Sequence, residues 1–181
     1  MKLRGDELKR RAGEVGVSVD QLGEALARTG LTGERATRAV RNWIGGRDHP
    51  RCKKGDIERL AQAVGCRPAD IVSFQSQVRH HRGSPKKAKL VIDLVRGKTL
   101  SEAENLLRFS SKRASVNVWK ALEAARADAE DAGADVGSLV VAESRVDRGP
   151  HIKRFQPKDR GRAHPILKRT SHITVAVEER S

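Results

Sequence analysis

The 181-residue sequence predicts an α+β protein in two parts. Residues 1–74 read as an all-α segment, and residues 75–181 as a small helix-on-sheet body with a long protruding β-hairpin at about 145–172. Three observations predict this. Capped helical stripes recur from Leu8 to Ala129. The apolar period then drops from about 3.6 to two, in Leu139–Ala142 and Ile173–Val177. Between those two strand-like runs lies a cationic stretch too poor in apolar residues to bury itself.

In the first part, Leu8, Ala12 and Val15 follow helical spacing. Ser18 with Gln21 is a capping-box pattern ahead of Leu22, Ala25 and Leu26, predicting a helix over 18–29. Residues 33–44 repeat the stripe with Ala36, Val40 and Trp43, and Gly45-Gly46 ends it. Ile57, Leu60, Ala61 and Val64 predict a helix stopped at Gly65. Pro68 suits the first position of another, leading into Ile71 and Val72. The pattern lapses into polar residues near Phe74–Gln77, the predicted boundary.

In the second part, Ser84-Pro85 is a cap followed by proline at the first helical position. Ala88, Val91, Ile92 and Val95 share a face that Gly97 closes. Thr99 with Glu102 is a second capping box, before Ala103, Leu106 and Leu107. Ala114, Val118, Leu122, Ala125 and Ala129 make a longer stripe ended by Gly133. The runs at 139–142 and 173–177 are expected to pair as the base of the hairpin.

Charge points to the partner. Lys and Arg number 37 against 23 Asp and Glu, a net +14, with a pI near 10.6. The excess is uneven: residues 79–98 hold seven cations and one acid, and 145–172 hold nine and two. That pattern predicts a polyanion, chiefly nucleic acid. The stretch Arg148–Arg169 has Pro150, Pro157, Pro165, Gly149 and Gly161 against a helix. Alone in water it would repel itself, and it is expected to gain order only beside phosphates. The 14 steps from Val146 to Arg160 reach about 45 Å as a strand. Arg forks suit phosphates and bases, and Phe155 is either a base-stacking or a hairpin-packing residue.

Several classes are excluded. No apolar run approaches a membrane span, and Met1–Glu7 has no apolar run after its basic residues, predicting no secretory signal. Cys52 and Cys66 cannot form a disulfide framework, which predicts a reducing compartment. They lie fourteen apart and His49 does not complete a site, so no metal is expected, and none at His80-His81 among its arginines. Glu102, Glu104, Glu123, Asp128, Glu130 and Asp131 fall at capping or i,i+4 helix positions, and no phosphate loop, nucleophile elbow or zinc-protease motif occurs. No catalysis and no cofactor are expected.

Several segments carry a resemblance. They are Ser84-Pro85-Lys86-Lys87-Ala88-Lys89-Leu90-Val91, Leu94-Val95-Arg96-Gly97-Lys98, Arg154-Phe155-x-Pro157-x-x-Arg160-Gly161-Arg162-Ala163, and Lys168-Arg169-Thr170-Ser171-His172-Ile173-Thr174-Val175. In this order, from about Arg79 to Glu178, the chain resembles the bacterial form of the large-subunit ribosomal protein twenty-two family. The resemblance implies a cytoplasmic ribosomal protein that binds large-subunit rRNA, helps it fold and lines the nascent-peptide exit tunnel with its hairpin. Implied partners are that rRNA, neighbouring ribosomal proteins and the nascent peptide, with no membrane. Implied rRNA contacts are Arg79, Arg82, Ser84, Lys86, Lys87, Lys89, Arg148, Lys153, Arg154, Arg160, Arg162, Lys168, Arg169, Thr170 and His172. The implied tunnel tip is Phe155, Gln156, Pro157, Lys158, Asp159, Arg160, Gly161, Arg162, Ala163 and His164. Gln156 and Asp159 stand where relatives more often carry basic or small residues, and Arg79-His80-His81-Arg82 replaces a more aromatic, aliphatic stretch.

The first 74 residues lie outside that resemblance. Their helix order resembles the repressor-type helix-turn-helix domain, with 18–29 as supporting helix and 33–44 as reading helix, closed by Trp43-Ile44-Gly45-Gly46-Arg47. It would present Arg35, Arg38 and Arg41 to nucleic acid. The alternative function is accordingly a DNA-binding transcriptional regulator using this segment.

Overall fold

The computed structural model describes residues 1–26 and 31–180. It divides into two compact units, Met1–Phe74 with Asp131–Ala134, and Gln75–Glu130 with Asp135–Ser181.

In the first unit, β1 (Lys2–Leu3) pairs antiparallel with Val72–Ser73, the start of β2 (Val72–His81). Between them run α1 (Gly5–Val15), α2 (Val19–Ala25), α3 (Glu34–Ile44) and α4 (Lys54–Val64). The Ser18 box forms in full: Gln21 N donates to Ser18 Oγ at 3.3 Å and Ser18 N to Gln21 Oε1 at 2.8 Å. Of the helix expected over 18–29, residues 27–29 lie outside the described residues. Ala36, Ala39, Val40 and Trp43 form the buried face of α3. Gly23 lets α2 approach it, since a Cβ there would stand 2.6 Å from Thr37 Oγ1. Gly65, at φ 71°, ends α4 in the left-handed region.

Two expectations are corrected here. Val15, at the last position of α1, is exposed because Gly16 (φ 78°) turns the chain before another apolar face can cover it. Pro68 opens a single 3-10 turn, Pro68–Ile71, and Val72 is already extended. The backbone there is satisfied by pairing instead: Arg4 N donates to Ile71 O at 2.9 Å and Leu3 faces Val72. The polar lapse at Phe74–Gln77 is thus the interior of a strand.

The second unit is a helix-on-sheet body. Its strands lie in the order β2, β6 (Ser171–Glu179), β3 (Leu139–Arg148). The helices are α5 (Pro85–Val95), α6 (Leu100–Arg108) and α7 (Ala114–Glu130). Ala88, Val91, Ile92 and Val95 of α5 and Val118, Ala121, Leu122 and Ala125 of α7 are buried, as are Leu139, Val141, Ile173, Val175 and Val177 of the sheet. Pro85 occupies the first helical position, but the Ser84 hydroxyl makes no cap bond. Only half of the second box forms: Thr99 Oγ1 accepts from Glu102 N at 3.4 Å, while the Glu102 carboxylate lies 4.0 Å from Lys98 Nζ. Leu106, expected on the buried stripe, is exposed.

The two apolar runs pair antiparallel from Leu139 opposite Glu179 to Arg148 opposite Ser171, with a register shift between Val141 and Glu143. Thr174 and Ala176 are buried as well as Ile173, Val175 and Val177, so period two marks no exposed face on β6. Their short side chains are shielded by longer neighbours such as Gln77, whose amide donates to Thr174 Oγ1 at 3.3 Å.

Candidate nucleic-acid interface

Beyond the base, the chain continues as a separate two-stranded ladder, the finger. Its strands are β4 (Ile152–Pro157) and β5 (Ala163–Lys168), paired from Ile152 opposite Lys168 to Pro157 opposite Ala163. No residue from His151 to Arg169 is buried. Phe155 faces solvent and does not pack within the hairpin. The tip is a tight turn: Lys158 N donates to Arg162 O at 2.6 Å and Arg162 N to Asp159 O at 3.2 Å. Arg160 and Gly161 both take left-handed backbone there, at φ 56° and 72°. Such a conformation is costly for an arginine, and it turns the side chain outward from the ladder. Gln156, Pro157, Lys158, Asp159 and Ala163 surround this turn in the open, while His164 is half-buried opposite Gln156.

A joint separates finger from base. Gly149 N donates to Thr170 O at 3.0 Å, and Thr170 Oγ1 donates to Pro150 O at 2.6 Å. A Cβ on Gly149 would collide with Thr170 Oγ1, so only glycine lets the strands close here. Thr170 and His172, expected among the contacts, both make hydrogen bonds within the protein, and Thr170 also lines a cavity at this joint. Thr170 is buried, and His172 Nδ1 accepts from His80 N at 3.1 Å while its ring meets the His80 ring edge-on at 4.8 Å.

Around this joint the fold gathers residues that are remote in sequence. Pro85 and Lys86, at the start of α5, face Arg148, His151, Arg169 and Thr170 across a cavity of about 250 Å³. Arg82 and Gly83 meet Ile152, Arg154, Lys168 and Arg169 around a second, of about 210 Å³. Arg169 borders both, and neither has an acidic lining residue. The positive N-terminal end of α5 adds to the same field. Lys87 and Lys89 are exposed on α5, and Arg79 on β2 donates from Nε to Gln77 Oε1 at 2.9 Å. His151, Gly83 and Ile152 were not singled out from the sequence. His151 stands inside the cationic run and was findable, whereas nothing local marks Gly83 or Ile152 as socket walls.

Not every cation is available. Arg96 donates to Ser144 O at 2.8 Å and lies 3.0 Å from Asp93, and Arg145 lies within 3.5 Å of both Glu143 and Asp147. By contrast, Lys153, Arg154, Lys158, Arg160, Arg162, Lys168 and Arg169 form no ion pair among the described residues. Their mutual repulsion is uncompensated by ion pairs among the described residues and favours an anionic partner. Behind the joint, the buried His81 meets Asn117 of α7 at 2.6 Å between Nδ1 and Nδ2. Burial, and then the nearby Arg113 charge, push its imidazole below the usual histidine range, so it stays neutral.

Residues 76–178 match the family described as Ribosomal protein L22p/L17e. The chain belongs to that family. Membership in the L22p/L17e family implies a large-subunit ribosomal protein that binds rRNA, a non-enzymatic structural role and a place in the ribosome. The family match spans the body, joint and finger, and leaves residues 1–75 unassigned.

In the first unit, Arg35, Arg38 and Arg41 are exposed along α3, opposite its buried face. Arg41 lies 3.4 Å from Asp20 of α2. Trp43 Nε1 donates to Pro50 O at 2.6 Å and Arg47 N to Asn42 O at 2.8 Å, which folds the chain back after α3. Cys52 and Cys66 are half-buried and not disulfide-linked, and burial raises the Cys66 thiol above its ordinary range. No helix of the described residues is long and apolar enough to cross a membrane.

Proposed function

We propose that the finger and the two sockets at its joint form one rRNA-binding surface. The sockets seat phosphates, and the finger threads between RNA segments with its tip, near Lys158–Arg162, in the wall of the nascent-peptide exit tunnel. Specificity comes from the shape of folded RNA, since the contacts are cationic side chains rather than a base-reading helix. In this reading the chain clamps RNA domains together during subunit assembly, beside neighbouring ribosomal proteins, and the nascent peptide passes its tip. Ribosomes of the cytoplasm are its location. The observation that carries the reading is a paired ladder with cations on both strands and no buried side chain, an arrangement that gains nothing from water and much from phosphate.

The test is binding of the full chain to large-subunit rRNA across a salt series. Replacing Lys153, Arg154, Arg160 and Arg162 together by Gln weakens binding. It also makes the salt dependence shallower, by roughly 0.9 log units or less per lost phosphate contact. Equal binding by variant and wild type at every salt concentration removes the reading. For the tip, a photocrosslinker at Lys158 on assembled ribosomes should label a stalled nascent chain.

The helical extension of residues 1–74 is read as a separate module, similar in helix order to helix-turn-helix domains. The exposed Arg35, Arg38 and Arg41 on α3 favour a nucleic-acid contact for it. The alternative that it makes the chain a DNA-binding regulator predicts duplex binding that the triple Arg→Gln variant loses. Stoichiometric recovery of the chain in purified large subunits speaks against that alternative.

A further inference from the structure

A third block of positive charge lies in the extension, outside the family match. Residues 35–54 hold seven cations and one acid, the same ratio as residues 79–98. The acid, Asp48, turns into its own loop, where its Oδ1 accepts from Cys52 N at 2.9 Å. Arg35, Arg38, Arg47, Arg51 and Lys54 are exposed and form no ion pair among the described residues. Arg41 is set apart from them, because Asp20 stands 3.4 Å away.

The local fold brings these cations together. Arg35 and Arg38 lie on the exposed side of α3, whose 11 residues span about 16 Å. The chain then folds back on the end of that helix. Asn42 Nδ2 donates to His49 O at 2.9 Å, beside the bond from Trp43 Nε1 to Pro50 O. These bonds hold the loop against the C-terminal end of α3, so Arg47 and Arg51 extend the charge of the helix beyond its last turn.

Two features select the kind of polyanion. Trp43 and Phe74, the aromatics of residues 1–74, are 3% and 0% exposed, whereas the second unit leaves Phe109, Trp119 and Phe155 exposed. The extension therefore offers no aromatic ring on which unpaired bases could stack. The exposed side chains of α3 are Glu34, Arg35, Arg38 and Arg41, and the Asn42 amide that could pair with an adenine is engaged by His49 O. Cations without rings or free amides suit a regular phosphate backbone, which a double helix presents. Family membership makes RNA the nucleic acid at hand.

We propose that this face of the extension grips the phosphate backbone of an RNA double helix, without reading its sequence, through Arg35, Arg38, Arg47, Arg51 and Lys54. The proposal rests on the nucleic-acid reading of the extension.

The test uses the full chain and two duplexes of one arbitrary sequence, one of RNA and one of DNA, across a salt series. Arg35→Gln, Arg38→Gln, Arg47→Gln and Arg51→Gln together change only exposed side chains without ion pairs, and the thermal unfolding curve should stay in place. The RNA duplex should bind about tenfold or more weakly, with a salt slope shallower by roughly 0.9 log units or less per lost phosphate contact. Lys at the same four positions should restore most of the binding, since a phosphate accepts a point charge as well as a fork. A scrambled RNA duplex should bind wild type as the first one does. If the Lys variant fails like the Gln variant, or the scrambled duplex binds tenfold differently, bases are being read and the proposal falls. Tighter binding of the DNA duplex, lost in the Gln variant, overturns the proposal and leaves the nucleic-acid reading of the extension standing. If the Gln variant binds both duplexes like wild type, the proposal and that reading fall together.

Discussion

The base and the finger of the hairpin are built from the same antiparallel pairing but stand on different footings. In the base, β3 and β6 bury Leu139, Val141, Ile173, Val175 and Val177 beneath α5 and α7. In the finger, β4 and β5 keep the ladder and bury no residue fully. Backbone hydrogen bonds alone leave a two-stranded ribbon marginal in water, so the base owes its stability to side-chain burial. The finger's exposed side chains are therefore left for a partner rather than for the core, and its charge fits the rRNA contact proposed above. The difference teaches that hydrogen-bond pattern says where a strand lies, and burial says what it is for.

The sharpest test of this contrast is truncation on each side. Ile173→Ala in the base should cost about 2–5 kcal/mol of unfolding free energy in urea titrations. Leu167→Ala in the exposed finger should cost less than about 0.5 kcal/mol. Comparable losses at both positions would mean the finger is packed after all. A smaller effect is expected at the joint, where Gly149→Ala forces a methyl against Thr170 Oγ1. It should lower the thermal midpoint by the equivalent of about 1–3 kcal/mol and weaken rRNA binding, because the sockets lose their shape. Smaller again is Thr170→Val, which removes the hydroxyl bonded to Pro150 O and should cost about 1 kcal/mol with the salt slope of RNA binding unchanged. A shallower slope would instead make Thr170 part of the phosphate-contacting set.

The last is a pH dependence of the body behind the joint. His81 titrates below the ordinary histidine value when folded, so the unfolded chain takes up its proton first on acidification. Its contribution is complete above about pH 6.5 and is lost as the pH falls through the lower folded value. Thermal unfolding followed between pH 7.5 and 5 should show the decline in wild type and a flatter profile in His81→Gln. Identical profiles would show that His81 carries no linkage.

Much was legible because it depends on neighbours in the chain. Ser18 with Gln21, Pro85 at a first helical position and Gly65 after a last one act through their own backbone, and they stand where their spacing puts them. The two strand-like runs likewise announced a paired base, and the stretch between them forms the finger. Less legible were positions whose role depends on a distant surface. Leu106 shares a periodicity with Leu107 but meets no second layer, and β2 hid behind polar residues whose partners, such as Thr174, lie about a hundred residues away.

The sequence by itself determined most of the helices, the Ser18 capping box, the paired base, the charge and the family, since local propensity, period and composition are properties of the chain alone. Only the tertiary structure decided that Arg82, Lys86, Arg148, Arg154 and Arg169 converge on two acid-free sockets, that Thr170 turns inward as a clip, and that the body's aromatics stand outside its core. These are facts about which surfaces meet, and burial is settled by packing between segments far apart in the chain, which no local pattern encodes.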